Sequence, residues 1–117
     1  MISVFPLELE LTSKGVVPGA TAGEPEQFSA RIAAQDGVRV GTWRCEPGDF
    51  PWSWTDAEMF HIIEGAGTIT DEAGDVHEIA PGKVFFMPAG SSAQWHVTET
   101  IRKSWVVADP ATAPTAG

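Results

Sequence analysis

The sequence predicts an all-β fold, a single-domain jelly-roll β-barrel. Short runs alternate apolar and polar residues at the two-residue period of a strand. Turn signals built from Gly, Pro and Asp recur every eight to twelve residues. No stretch sustains the period of a long helix. A jelly roll curls two sheets together and protects their edges, which suits this count of short strands.

In chain order, Leu7, Leu9 and Leu11 alternate with Glu8 and Glu10, so residues 3 to 11 predict a half-buried strand that Pro6 pushes toward an edge. Residues 12 to 27 are rich in Gly, Pro, Thr and Glu without periodicity and read as a loop. Residues 28 to 34 alternate weakly and read as a strand. Asp36-Gly37 has the signature of a hairpin turn. Val38 to Glu46 alternates and ends at Pro47-Gly48. Residues 49 to 57 read as a loop or irregular strand carrying Trp52 and Trp54. Met59 to Ile63 is a strand, Gly65 to Gly67 a turn, and Thr68 to Thr70 another strand. A hairpin turn follows at Asp71 to Asp75, then strands at Val76 to Ile79 and Val84 to Met87, separated by Ala80 to Lys83. After the turn at Pro88 to Ser92, residues 93 to 98 and 102 to 108 read as the last two strands.

A chain of 117 residues, without a repeat, is one domain by length. Residues 1–35 read as an N-terminal strand and loop of that domain, 36–108 as the barrel, and 109–117 as a disordered tail of small and polar residues. The formal net charge is -9, from 16 acids and 7 bases. This argues against nucleic acid and against anionic membrane as partners, since both need a basic face. No apolar run approaches the ~20 residues that span a bilayer. The N-terminus lacks a basic start and meets acids at Glu8 and Glu10, unlike a secretory signal. One cysteine, Cys45, fits a reducing cytoplasm.

Two stretches carry the motifs. In the first, Trp52 and Trp54 are spaced W-x-W, Glu58 follows four residues after the second, and Gly65 closes the run. In the second, Gly82, Pro88 and Gly90 frame an apolar run, with Ala93 three residues on. The pattern resembles the two signature motifs of the cupin superfamily, over roughly residues 36 to 108. Trp52 and Trp54 stand where the motif has two histidines, Glu58 where it has its acid, and Ala93 where it has its third histidine. The resemblance is closest to small single-domain cupins related to (S)-ureidoglycine aminohydrolase and to the ethanolamine-utilisation cupins. Those share the lead-in Trp43, Cys45, Pro47, Gly48 and the ending Trp95, Val97, Glu99, Arg102, Lys103. It implies an RmlC-like jelly roll, pairing into a homodimer, and chemistry on a small ureide, amide or amine.

Metal-binding cupins hold a divalent Mn, Fe, Ni or Zn with imidazoles and a carboxylate. Here Glu58 alone of those ligands remains. An indole N–H only donates, and alanine has no ligand atom. The usual metal site is therefore expected to be lost, with no cofactor. His61 and His96 are the alternatives for rebuilding one. Parity turns both away from the face of Glu58 and Trp95, and His77 lies beside Asp75 and Glu78; all three read as surface or interface histidines.

Two readings remain for the aromatic set. Trp52, Trp54 and Trp95 pack as core, or they line a pocket for a small organic molecule with Glu58, Phe60 and Ala93. A carboxylate on the inner face must be paired, protonated or solvated. The last two states suit a general acid or base, which makes Glu58 the catalytic candidate. Of Arg102 and Lys103 at most one faces inward, and the same holds for Arg39 and Arg44. An inward arginine would pair with Glu58 or recognise a carboxylate ligand. Cys45 reads as a small buried residue.

Overall fold

The computed structural model describes residues 2, 4–6 and 9–109. Nine strands and no helix are found among them: β1 (Thr12–Val16), β2 (Ala22–Gly23), β3 (Glu26–Gln35), β4 (Val38–Cys45), β5 (Gly48–Ser53), β6 (Ala57–Asp71), β7 (Val76–Ile79), β8 (Val84–Met87) and β9 (Ser92–Ala108).

Strands β6 and β9 pair antiparallel along their whole lengths, from Ala57 opposite Ala108 to Asp71 opposite Ala93. Both are bent, and each half belongs to a different sheet. The first half of β6 and the last half of β9 join β8 on one side and β4, β3 and β1 on the other. The second half of β6 and the first half of β9 join β7 on one side and β5 and β2 on the other. The two sheets face each other across the core, as a jelly roll requires.

The crease explains a correction. The turn expected at Gly65 to Gly67 is a set of register slips within one strand, between Ile62 and Gly67. A side chain at Gly65 would start 2.5 Å from the Thr100 carbonyl oxygen, and one at Gly67 2.1 Å from that of His96. The glycines thus let β9 cross close while the ladder continues. For the same reason the two last strands are one, β9.

Two further expectations are corrected. The loop over residues 12 to 27 contains β1 and β2. Every residue of these two strands is exposed, so no face is buried and no alternation marks them in the sequence. The half-buried strand over residues 3 to 11 is not found among the described residues of that span; Ser3, Leu7 and Glu8 lie outside them. Pro6 offers no ladder donor there, and β1 takes the edge position beside β3. The span 49 to 57 resolves into β5 followed by a bend. Of the expected tail, Asp109 is described, its N–H donating to the Gly37 carbonyl at 2.7 Å, and the rest lies outside the described residues. Asp36 and Gly37 carry φ of 55° and 76°, the primed turn that matches strand twist.

The core is aromatic. Trp95 lies at its centre, with its ring centroid 5.7 Å from those of Trp43, Phe50 and Phe60 and 6.4 Å from Trp54. Offset and edge contacts of this kind add about 0.5–1.5 kcal/mol per pair beyond area burial. Gly41 makes room in the same wall. It pairs with Trp105 across β4 and β9, and a Cβ there would lie 2.3 Å from the indole.

Candidate functional site

Along β9, Ala93, Trp95, Val97, Ile101, Lys103, Trp105 and Val107 all share the inner face. Lysine is almost never fully buried unless paired, yet Lys103 is only 5 % exposed. Its partner is Glu58, which β6 turns inward together with Phe60 and Ile62. Lys103 Nζ donates to Glu58 Oε2 at 2.6 Å. The ammonium also lies 4.1 Å from the Phe60 ring centroid, 4.9 Å from Trp43 and 5.5 Å from Trp95. Carboxylate and ring faces together offset the loss of water. Burial nonetheless pushes the Lys103 pKa below its ordinary value, against the charge and hydrogen bond of Glu58.

Above this pair lies an open cavity of about 230 Å³. Its floor is Glu58 and Lys103. Trp43, Trp52 and Trp105 form its aromatic walls, and Gln27, Ser29 and Arg39 its polar rim. Gln27 Oε1 accepts the Trp43 indole N–H at 3.0 Å, which fixes that ring. Arg39 is held at the mouth by Asp56 at 2.6 Å. The cavity thus combines an aromatic slot, a buried donor and a buried acceptor.

The six expected pocket residues divide. Trp52 and Glu58 line the cavity. Trp54, Phe60, Ala93 and Trp95 are buried in the core cluster and do not. Ala93 pairs with Trp52 across β5 and β9, so its small side chain leaves space for the indole. The indole N–H groups of Trp54 and Trp95 are buried without a hydrogen-bond partner. The inward cation is Lys103. No arginine meets Glu58: Arg39 pairs with Asp56, and Arg44 packs over the Phe28 ring at 4.2 Å. Lys103, Trp43 and Trp105 were not singled out as pocket residues from the sequence. Carrying the parity of Trp95 through to residue 105 finds two of them, but only when β9 is read as one strand.

The residues present do not fit the metal of the cupin motif. Trp52, Trp54 and Ala93 supply no ligand atom, and Glu58 already faces an ammonium. His61 is exposed on β6 opposite Ser104, whereas His96 lies on the other half of β9, opposite Thr68; the two are not brought together. His96 pairs instead with Asp49 and His77 with Asp71. No group of three or more His, Cys, Asp or Glu that would hold a metal ion occurs among the described residues.

Cys45 is buried and unpaired, and burial raises its pKa to about 12. It is a packing residue and no nucleophile. Among the described residues no helix is long and apolar enough to cross a membrane.

A model of the EutQ-like cupin domain matches residues 32–105. No curated protein matches the chain. Among solved structures, the EutQ protein of Clostridium difficile is 19 % identical, with a TM-score of 0.65 over 73 % of this chain and 69 % of that one. A putative ethanolamine utilization protein Q from Salmonella typhimurium is 21 % identical, with a TM-score of 0.64 over 85 % and 94 %. A protein of unknown function from Pseudomonas syringae is 21 % identical, with a TM-score of 0.78 over 87 % of this chain but 46 % of its own length. These likenesses speak to the fold. With the domain model spanning β4 to β8, the end of β3 and most of β9, the chain belongs to the EutQ-like cupin family.

Proposed function

We propose that this cupin binds a small organic molecule in the cavity over Glu58 and Lys103, without a histidine-held metal. The observation that carries this reading is the 2.6 Å pair at the cavity floor. An ammonium occupies the place of positive charge beside the one remaining motif acid. The floor offers a donor and an acceptor side by side, and the walls offer indole faces. That combination suits a compact, flat ligand with adjacent acceptor and donor groups, such as an amide or ureide. The test is calorimetric titration with N-carbamoylglycine and glycinamide, beside indole fluorescence. Saturable binding that Lys103→Met and Trp52→Ala both weaken is expected. Binding unaffected by either change would overturn the reading.

An enzymatic reading rests on Lys103, whose pKa is lowered by burial while Glu58 opposes the shift. A carboxylate and a depressed lysine in contact can exchange a proton, so Glu58 would act as general base and Lys103 as its acid partner. Turnover of a small ureide or amide lost in Glu58→Gln, with ligand affinity retained, would support it.

A homodimer is part of the same proposal. On the outer face of the larger sheet, Phe86, Met59, Val106, Val40 and Ala33 stand opposite one another in a single row across β8, β6, β9, β4 and β3. Phe86 is 67 % exposed and Met59 43 %. An uncharged row on a chain of net charge -9 suits a self-complementary contact. Light scattering is expected to give twice the chain mass, and Phe86→Glu the single mass. A cytoplasmic location accords with the unpaired Cys45.

A further inference from the structure

A second cleft, larger than the Trp-lined cavity and sharing no residue with it, opens where the two sheets diverge. β7 and β8 each pair only with β6, on its two halves. Between them lies a space of about 840 Å³, within the roughly 300–1,000 Å³ range of small-molecule sites.

One wall carries Asp71, Glu72 and His77. His77 shares the core-facing side of β7 with Ile79 and stands opposite Ile69, so it points toward the seam rather than along the outer surface. Asp71 Oδ1 accepts the N–H groups of Ala73 and Asp75 at 3.0 Å each, and His77 Nε2 lies 2.8 Å from Oδ2. These bonds hold the Asp71 pKa below its ordinary value, so it is a carboxylate that only accepts. Since a carboxylate only accepts, His77 Nε2 carries the proton of this bond. Glu72 reaches the neighbouring strand of its own ladder, where Asp71 pairs with Ala93. Its Oε1 accepts the Ser92 N–H at 2.6 Å and the Ser92 hydroxyl at 3.1 Å. The turn after β6 is thereby braced to the turn before β9.

The opposite wall is apolar. Phe85 and Met87 face inward on β8, with Phe85 stacked on Phe60 at 5.0 Å. The one cation of the lining, Lys83, lies 3.4 Å from Glu78. Two carboxylates therefore face an apolar wall, on a chain whose net charge of -9 draws cations.

We propose that this cleft binds an organic amine, its ammonium on Glu72 and its apolar body against Phe85 and Met87. The Glu72–Ser92 bonds hold the polar wall to the start of β9, so the Glu72 carboxylate is fixed in place before the ligand arrives. This site is independent of the cavity over Glu58.

The test uses the full chain and 2-phenylethylamine, with phenylacetate and 2-phenylethanol as anionic and neutral counterparts, followed by amide chemical shifts. The amine is expected to bind saturably, shifting the Ala73, Asp75 and Ser92 amides, and about tenfold more tightly than phenylacetate. Glu72→Gln keeps the acceptor for Ser92 and removes the charge, and is expected to weaken the amine severalfold while leaving 2-phenylethanol unchanged. Equal or tighter binding of phenylacetate overturns the proposal. So does an amine affinity indifferent to Glu72→Gln, or a set of shifts confined to the residues around Lys103.

Discussion

Lys103 stands one strand from Trp43 and donates to Glu58 on β6, so a single buried ammonium ties the carboxylate to the aromatic wall of the cavity. Removing either charge leaves the other buried alone, which costs about 3–5 kcal/mol. Lys103→Met and Glu58→Gln are each expected to lower stability by that order in urea unfolding. The double change is expected to cost clearly less than the sum of the two, since the charges act as a unit. Additive losses would mean that the pair is not coupled.

Thermodynamic linkage gives Cys45 and Lys103 opposite signs. The folded thiol titrates at about 12 and the unfolded one at its ordinary 9.0. Above 9.0 the unfolded chain has lost a proton that the folded chain keeps, so stability falls as pH rises from 9.0 toward 12. Lys103 is lowered below 10.5. Between its folded value and 10.5 the unfolded chain binds more protons, and stability rises with pH. Cys45→Ala is expected to remove the alkaline loss, and Lys103→Met the rise. Unfolding free energies measured from pH 8 to 11 check both signs.

Native Cys45 is expected to resist a disulfide reagent at pH 8 and to react fully once the chain is unfolded. Burial and the raised pKa both withhold the thiolate. Rapid labelling of the folded chain would contradict the packing described around β4.

Gly41→Ala is expected to destabilise by about 1–3 kcal/mol or more, because the added methyl meets the Trp105 ring and the Ala30 carbonyl oxygen at 2.3 and 2.5 Å. Trp105 lines the cavity, so ligand affinity should fall with stability. A thermal melt and a titration of the same variant read both effects.

The all-β jelly roll was legible because turns and alternation are local signals. The hairpin turn at Asp36-Gly37 and the inward set of Glu58, Phe60 and Ile62 could be read from spacing. The crease could not. At Gly65 and Gly67 a glycine that admits a crossing strand looks the same in sequence as a glycine that ends one. Cutting β9 at that point broke the parity that runs from Trp95 to Lys103 and Trp105, and with it the partner of Glu58. β1 was hidden for another reason, since a strand exposed on both faces leaves no alternation. Trp54, Phe60 and Trp95 share a parity with pocket residues, and only the third dimension separates the core from the cavity.

The most direct test is metal analysis of the protein purified without added metal, beside Glu58→Ala. Only traces of transition metal in both proteins are expected, because Lys103 already supplies the cation at Glu58. Near one equivalent of Mn, Fe, Ni or Zn in the native chain, lost in Glu58→Ala, would contradict a metal-free cavity and make Glu58 a ligand.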